Sequence, residues 1–240
     1  MKKAFTLCII LMILSLSACS GTLTNPKEST SQEAETLSTT ATEQIPSETT
    51  SLPPATTTSS LPGDSEYVKV TEYVSSIFID LKYATVDNFT GQVIYGFSDA
   101  YLRYGTVQKT KKAQETARLQ GYSLKIWDAY RPLDAQYALW TAVPDPTYVA
   151  DPRKGPSGHN MGNCIDVTLV NTDGTEIYMP TAFDDFSLLA DRDYSDVSYQ
   201  AAQNALLLES IMYSCGFTGY KGEWWDYTDS QSYEYTDFIP

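Results

Sequence analysis

The chain has 240 residues, with 16 Lys and Arg against 30 Asp and Glu, and its formal net charge at pH 7 is −14. This acidic balance argues against nucleic acid and against anionic lipid surfaces as partners, because both repel a negatively charged protein. All 18 tyrosines lie from Tyr67 onward. We therefore expect the folded part at residues 67–240, a length that suits one domain.

The first 18 residues have the features of a bacterial lipoprotein signal peptide. Lys2 and Lys3 form a basic start, and the apolar stretch 4–16 is too short for an ordinary membrane span. It ends in Leu16-Ser17-Ala18-Cys19, which resembles a lipobox. The resemblance implies cleavage before Cys19, lipidation of its thiol and an extracytoplasmic, membrane-anchored lipoprotein. The alternative is an ordinary secretory signal with an incidental cysteine.

Residues 19–66 are predicted to form a disordered tether. They are dense in Ser, Thr, Pro and Glu and contain no aromatic residue. Such a segment cannot bury enough apolar surface to offset the entropy lost on ordering. A mucin-like glycosylated stalk is the alternative, and it would also hold the domain away from the membrane.

The folded part alternates between strand-like and helical patterns. Period-2 patterns predict strands and period-3.6 patterns predict helices. The predicted strands are 67–83, 122–129, 165–170 and the extended region from 217, and the predicted helices are 100–120, 132–140 and 199–215. Gly121 and Gly216 are placed to end two of these helices. Without a regular alternation of strand and helix, the pattern favours an α+β fold, an antiparallel sheet flanked by helices.

The most informative stretch runs from Ser157 to Asp166 and contains His159, the only histidine of the chain. Asp166 falls in the predicted strand, and glycines in the preceding loop allow the imidazole and the carboxylate to converge. One nitrogen and one oxygen ligand make half of a zinc site. The alternative is a core histidine beside a surface aspartate.

Two cysteines remain in the folded part, Cys164 and Cys215. In an exported domain they are candidates for a disulfide. Cys164 also lies two residues before Asp166, on the same strand face, and so could face a metal. Core packing of a small side chain is the preferred interpretation of both cysteines.

The second half of the candidate site is Gly222-Glu223-Trp224-Trp225-Asp226-Tyr227. Together with Ser157-x-His159-x6-Asp166, it resembles the D-alanyl-D-alanine dipeptidases of the vancomycin-resistance (VanX) type. These are zinc peptidases whose fold is shared with D-Ala-D-Ala carboxypeptidases and hedgehog signalling domains. Three further stretches agree and occur in the family's order, namely 83–91, 128–132 and 183–187.

The resemblance implies roles for individual residues. It makes His159 and Asp166 zinc ligands and Glu223 the catalytic base. It makes Arg131 the arginine that stabilises the oxyanion, although this residue could equally be a structural partner of Asp128 or Asp134.

Two substrate contacts and a departure complete the comparison with the family. Ser157 matches a serine that holds the substrate carboxylate, and Asp184 would meet the substrate ammonium. The family's third zinc ligand is a histidine directly after the Trp pair, whereas this chain has Asp226. An oxygen donor there weakens the preference for zinc and admits harder divalent ions such as manganese. Glu223 and Asp226 are three residues apart, so both reach one metal only if a turn or bulge intervenes.

Two function classes follow from this resemblance. The first is a zinc-dependent dipeptidase that hydrolyses D-Ala-D-Ala, or a related carboxypeptidase acting on peptidoglycan-derived peptides. The second is a catalytically impaired, lipid-anchored module that binds wall peptides. An exported enzyme of this kind would trim wall peptides or scavenge released dipeptide.

Overall fold

A computed structural model describes residues 60–240. The predicted signal peptide and the predicted lipidation site Cys19 lie outside the described residues, as does nearly all of the predicted tether. The last residues before Tyr67 are bound to the fold, because the amides of Tyr104 and Gly105 donate to the carbonyls of Glu66 and Asp64 at 2.8 and 3.0 Å. Within residues 60–240, no helix combines the length and apolarity that a bilayer crossing needs.

The described part contains seven strands and five α-helices. In chain order they are β1 (Tyr67–Lys69), α1 (Val70–Tyr73), β2 (Phe78–Ile79), β3 (Tyr101–Arg103), α2 (Tyr104–Leu119), β4 (Tyr122–Asp128), α3 (Leu133–Ala142), α4 (Gly158–Met161), β5 (Cys164–Asn171), α5 (Tyr199–Ser214), β6 (Phe217–Gly219) and β7 (Asp226–Asp229). Short 3₁₀ turns occur at Lys82–Ala84, Pro152–Lys154 and Leu188–Ala190.

The main sheet has five strands in the order β2-β4-β5-β7-β6. Neighbouring strands are antiparallel except at one edge, where β2 runs parallel to β4. Helix α2 packs against β4 and α5, and α5 packs against β5 and β6. A second, two-stranded sheet pairs β1 with β3. The predicted α+β class is confirmed, and the sheet is antiparallel apart from its edge strand.

The predicted boundaries of some helices and strands agree with the structure, and those of others do not. The strand at 122–128 and the helices at 133–142 and 199–214 lie close to their predicted positions, and Gly121 follows α2 with a left-handed φ of 85°. The single strand predicted for 67–83 is wrong, since that segment divides into β1, α1, β2 and a 3₁₀ turn. Helix α2 begins at Tyr104, because residues 101–103 pair with β1 instead.

The two faces of β5 explain how the core supports a polar patch. Ile165, Val167 and Leu169 belong to the buried apolar core. Cys164 and Asp166 point to the opposite face, because side chains alternate along a strand. Both faces are buried, so Asp166 is held rigidly with an exposed fraction of only 3%. The predicted strand therefore holds the Asp166 carboxylate on a buried face.

Candidate active site

Three aspartates lie side by side on neighbouring strands of the main sheet. Asp166 of β5 is in register with Asp128 of β4 on one side and with Asp226 of β7 on the other. Residues directly opposite on neighbouring strands have Cβ atoms about 4.5–5.5 Å apart. Such a row of carboxylates is unfavourable unless protons or cations neutralise it.

Asp128 is neutralised within the protein. Arg131 donates to its Oδ2 from Nε at 3.0 Å and from Nη2 at 2.7 Å. Its Oδ1 accepts from the Tyr95 hydroxyl at 2.7 Å and from the Ala129 amide at 2.8 Å. Of the two partners that the sequence suggested for Arg131, the structure selects Asp128. With its lone pairs so occupied, Asp128 is a poor candidate for a metal ligand, and Asp166 and Asp226 are the better ones.

His159 lies on α4, a single helical turn where the sequence predicted a loop. Ser157 caps this helix, since its hydroxyl accepts from the Asn160 amide at 3.3 Å and its own amide donates to the Asn160 side chain at 2.8 Å. Gly162 ends the helix with a left-handed φ of 74°. This one-turn helix lets the chain reverse directly into β5 and brings His159 over Asp166.

The His159 imidazole is oriented by a hydrogen bond from its Nδ1 to a backbone carbonyl. His159 Nδ1 lies 2.8 Å from the carbonyl oxygen of Ala129, which can only accept, so Nδ1 carries a proton. Nε2 then faces Asp166 Oδ2 and Asp226 Oδ2, each at 3.6 Å. This arrangement fixes the tautomer that a metal requires. The predicted convergence of imidazole and carboxylate is confirmed.

The charges around Nε2 favour a cation at this place. Oδ1 of Asp166 is buried and has no hydrogen-bond partner in the described part of the chain. Burial raises the pKa of Asp166 to about 6; His159 opposes this shift, and the Asp226 charge adds to it. Although burial lowers the pKa of His159, the neighbouring Cys164 and Asp166 outweigh it, and the net shift is well upward. A proton or a metal cation between these groups would give the Asp166 oxygen a partner and offset the carboxylate charges. The nitrogen and oxygen donors of His159, Asp166 and Asp226 fit zinc.

Cys164 also faces this cluster. Its Sγ lies 3.4 Å from each carboxylate oxygen of Asp226 and accepts a hydrogen bond from the Thr228 hydroxyl at 3.3 Å. Cys164 is buried, as its preferred interpretation as a core residue predicted, but it lies outside the main apolar cluster and its sulfur contacts polar groups of the site. The disulfide alternative is wrong, because Cys164 and Cys215 are both free. Burial, followed by the Asp226 charge, raises the pKa of the Cys164 thiol to about 12.

Glu223 reaches the same pocket from the turn that precedes β7. The amide of Trp224 donates to the Ala190 carbonyl at 2.9 Å, and the carbonyl of Trp225 accepts from the Val167 amide at 3.0 Å. Both indoles are fully buried, so they anchor this turn to the core. The turn that the spacing of Glu223 and Asp226 required is thus present. Burial first, and then the Asp226 charge, raise the pKa of Glu223 well above its usual range.

Asp184 also lines the pocket. Its carboxylate accepts from the Tyr83 hydroxyl at 3.2 and 3.0 Å, and its backbone has a left-handed φ of 56°. Non-glycine residues in that region are uncommon, although aspartate tolerates it better than most. Burial, together with the nearby Asp166 charge, raises the pKa of Asp184 to about 8. A positively charged group beside Asp184 would favour the ionised form of this carboxylate.

The pocket has a volume of about 240 Å³. Ligand pockets commonly measure about 300–1,000 Å³, so this one suits a small ligand. It brings together every catalytic, substrate-binding and metal-binding residue that the sequence predicted, which are Arg131, Ser157, His159, Asp166, Asp184, Glu223 and Asp226. A larger cavity of about 630 Å³ beside Trp127 contains neither His159 nor any of these carboxylates.

Ser157 and Arg131 are held by partners inside this pocket. The Ser157 hydroxyl donates to Asn160 Oδ1 at 2.9 Å and lies 3.4 Å from Gln136 Oε1. Gln136 Oε1 also accepts from Arg131 Nη1 at 3.0 Å. The capping role of Ser157 is therefore visible, whereas its contact with a substrate carboxylate stays a prediction.

Sequence reasoning assigned no site role to Tyr83 or Gln136, and for Cys164 it gave contact with a metal only as an alternative. The period-2 spacing of Cys164 and Asp166 was the available pattern for the cysteine. Tyr83 belongs to a stretch that resembles the family, but its bond to Asp184 links positions 101 residues apart and leaves no trace in either segment.

The small pocket combines a buried imidazole, two carboxylates that face its Nε2, and the further carboxylates of Asp184 and Glu223, an arrangement that suits metal-assisted hydrolysis. The family model of D-Ala-D-Ala dipeptidases, peptidase family M15, matches residues 64–240. The D-alanyl-D-alanine dipeptidase of Escherichia coli (strain K12) is 38% identical over 170 residues, which are 71% of this chain and 88% of the relative. Those of Enterococcus faecium and Streptomyces coelicolor are 34% and 35% identical, over 65% and 68% of this chain and 87% and 91% of theirs. The chain belongs to this peptidase family and is a dipeptidase, as its resemblance implied.

Proposed function

We propose that the chain hydrolyses D-alanyl-D-alanine with the help of one zinc ion held by His159, Asp166 and Asp226. The observation that carries this proposal is the position of His159 Nε2, which lies 3.6 Å from a carboxylate oxygen of each aspartate. Neighbouring ligands of a tetrahedral zinc with bonds of about 2.0–2.2 Å lie roughly 3.3–3.6 Å apart. The substrate is supported by the family and by the names of the three relatives.

The charged groups of the pocket fit the two ends of a dipeptide. When bound, zinc would polarise the scissile carbonyl and make hydroxide available near neutral pH. Glu223 would take a proton from the attacking water and pass it to the leaving amine. Arg131, fixed by Asp128 and Gln136, would meet the negative charge that develops on the carbonyl oxygen. Asp184 would pair with the free ammonium of the substrate.

The role of Asp184 distinguishes a dipeptidase from a carboxypeptidase. A free ammonium exists in D-Ala-D-Ala but not in its N-acetyl derivative or in a longer wall peptide. The purified full-length chain, loaded with zinc, should therefore cleave D-Ala-D-Ala much faster than N-acetyl-D-Ala-D-Ala, with L-Ala-L-Ala as the control for stereochemistry. Equal rates on the first two substrates would support the carboxypeptidase alternative instead.

The binding-module alternative has one observation in its favour, the carboxylate of Asp226 where the family has a histidine. Metal analysis of the purified chain separates the two functions. If the chain retains no divalent metal and releases no D-alanine, the wall-peptide-binding module is the function that remains.

We infer a cell-surface location and a hedgehog-type fold from the sequence. The location depends on Leu16-Ser17-Ala18-Cys19 and on the tether that follows. A Cys19→Ser variant expressed in a bacterium should lose incorporation of labelled fatty acid and leave the membrane fraction. If the unaltered chain takes up no fatty acid, the lipid anchor is absent. An experimental structure that superposes poorly on hedgehog signalling domains would refute the finer fold assignment.

A further inference from the structure

We propose that Cys164 is a ligand of the bound metal, so that the donor set is His159, Asp166, Asp226 and a thiolate. This inference goes beyond the three ligands of the proposed function and rests on the metal site proposed there. It assigns the sulfur to the side of the site where Asp226 lies.

The distances around the sulfur are those of a shared coordination sphere. Cys164 Sγ lies 3.4 Å from both carboxylate oxygens of Asp226, and Asp226 Oδ2 lies 3.6 Å from His159 Nε2. Ligand atoms of these three residues all lie within 4.8 Å of one another. A sulfur and an oxygen bound to one tetrahedral zinc, at about 2.3 and 2.1 Å, are separated by roughly 3.6 Å. The thiol is therefore already placed where a ligand would be.

Two features of the surroundings favour ligation over plain packing. The side chain of Cys164 lines the same pocket as His159, Asp166 and Asp226, although the residue is almost fully buried. Oδ1 of the neighbouring Asp166 is buried without a hydrogen-bond partner in the described part of the chain, and a bound cation would supply one. The Thr228 hydroxyl donates to Sγ at 3.3 Å and would stabilise a thiolate.

A sulfur ligand changes which metal the site prefers. Carboxylate ligands suit manganese and magnesium, whereas thiolate favours zinc. The sequence pattern of one histidine and two aspartates predicted a weakened zinc preference, and Cys164 would restore it. With four protein donors, a water or substrate oxygen would bind as a fifth ligand, a coordination number that catalytic zinc sites sometimes reach. Metal binding would displace the thiol proton into the buffer.

Cobalt spectroscopy tests the ligand directly. In the full-length chain with Cys8→Ser and Cys19→Ser, the remaining cysteines are Cys164 and Cys215. The cobalt form of this chain should show the intense near-ultraviolet charge-transfer band of a thiolate bound to cobalt. A further Cys215→Ser change should leave the band intact, and a further Cys164→Ser change should abolish it while weaker cobalt bands persist.

A hydrogen bond from Cys164 to Asp226 without ligation is the competing explanation, and Cys164→Ser separates the two because serine still donates that bond. Loss of an outer-shell partner costs about 10–100-fold in metal affinity. If Cys164 is a ligand, serine should weaken zinc at least about ten-fold and leave manganese nearly unchanged. Retained zinc affinity in that variant, or a charge-transfer band that survives it, would overturn the inference.

The inference and the proposed function can fail separately. X-ray absorption at the zinc edge of the otherwise unaltered chain needs no variant that could fold poorly, and it should detect one sulfur neighbour. A zinc ion surrounded only by nitrogen and oxygen would refute the role of Cys164 and leave the three-ligand site standing. If the chain binds neither zinc nor cobalt, both proposals are wrong.

Discussion

Replacing Arg131 by alanine would disturb both the stability and the chemistry of the site. Arg131 and Asp128 form a buried ion pair with hydrogen bonds of 3.0 and 2.7 Å, and Asp128 is completely buried. Removing one partner of such a pair leaves an uncompensated charge and costs about 3–5 kcal/mol. In a domain of this size 1 kcal/mol lowers the melting temperature by about 2–4 °C, so we expect a fall of roughly 6–20 °C.

A matched double variant separates the two effects. Arg131→Met combined with Asp128→Asn removes both charges and keeps an acceptor for the Tyr95 hydroxyl, so most of the lost stability should return. If Arg131 stabilises the oxyanion, turnover of D-Ala-D-Ala should stay about 10²–10³-fold low in both variants, measured well below their melting temperatures. Recovery of turnover together with stability would show that Arg131 is only a structural partner. A melting temperature that hardly moves in Arg131→Ala would refute the energetic argument itself.

Three further predictions address the other groups of the pocket. Glu223→Gln should keep bound zinc and the melting temperature but lose about 10²–10⁴-fold in turnover, and wild-type turnover would exclude Glu223 as the base. Asp184→Asn should raise KM for D-Ala-D-Ala more than it lowers kcat, with little effect on the N-acetyl substrate; equal effects on both would remove the ammonium contact. The pKa of Asp184 is about 8 in the free protein, so protonation below that pH removes the charge that attracts the ammonium. We therefore expect kcat/KM to fall as the pH drops through 8. This pH dependence should weaken in Asp184→Asn. Chelation should abolish turnover and added zinc should restore it, whereas activity that survives complete metal removal would exclude the metal site.

The sequence predicted the parts of the site that local patterns determine. Period-2 alternation placed Asp166 on a buried strand face, and the spacing from Glu223 to Asp226 required the turn that the structure has. Gly121 and Gly216 marked helix ends because their left-handed φ values, 85° and 89°, suit glycine. Each of these features depends on a few adjacent residues, so one sequence is enough to find it.

The remaining features depend on pairings between distant segments. The carboxylate row exists only because β4, β5 and β7 are neighbours in one register, and no local pattern specifies that order. Cys164 was taken for core because burial alone does not tell which polar groups face a side chain. The early strand prediction for 67–83 failed for a similar reason, since pairing with residues 101–103 ends β1 after three residues.

Asp226→His offers the strictest test of the proposed ligand set. Imidazole suits zinc, whereas carboxylate suits manganese. In this chain Asp226 Oδ2 lies 3.6 Å from His159 Nε2, so an imidazole at position 226 starts beside the metal site. We expect the ratio of zinc to manganese affinity to rise by at least about ten-fold, the size of effect that outer-shell changes alone produce. Asp173→His, which adds an imidazole at an exposed turn, is the matched control and should change neither affinity. If Asp226→His leaves the ratio unchanged while Cys164→Ser lowers it, the sulfur and not the carboxylate holds the metal on this side.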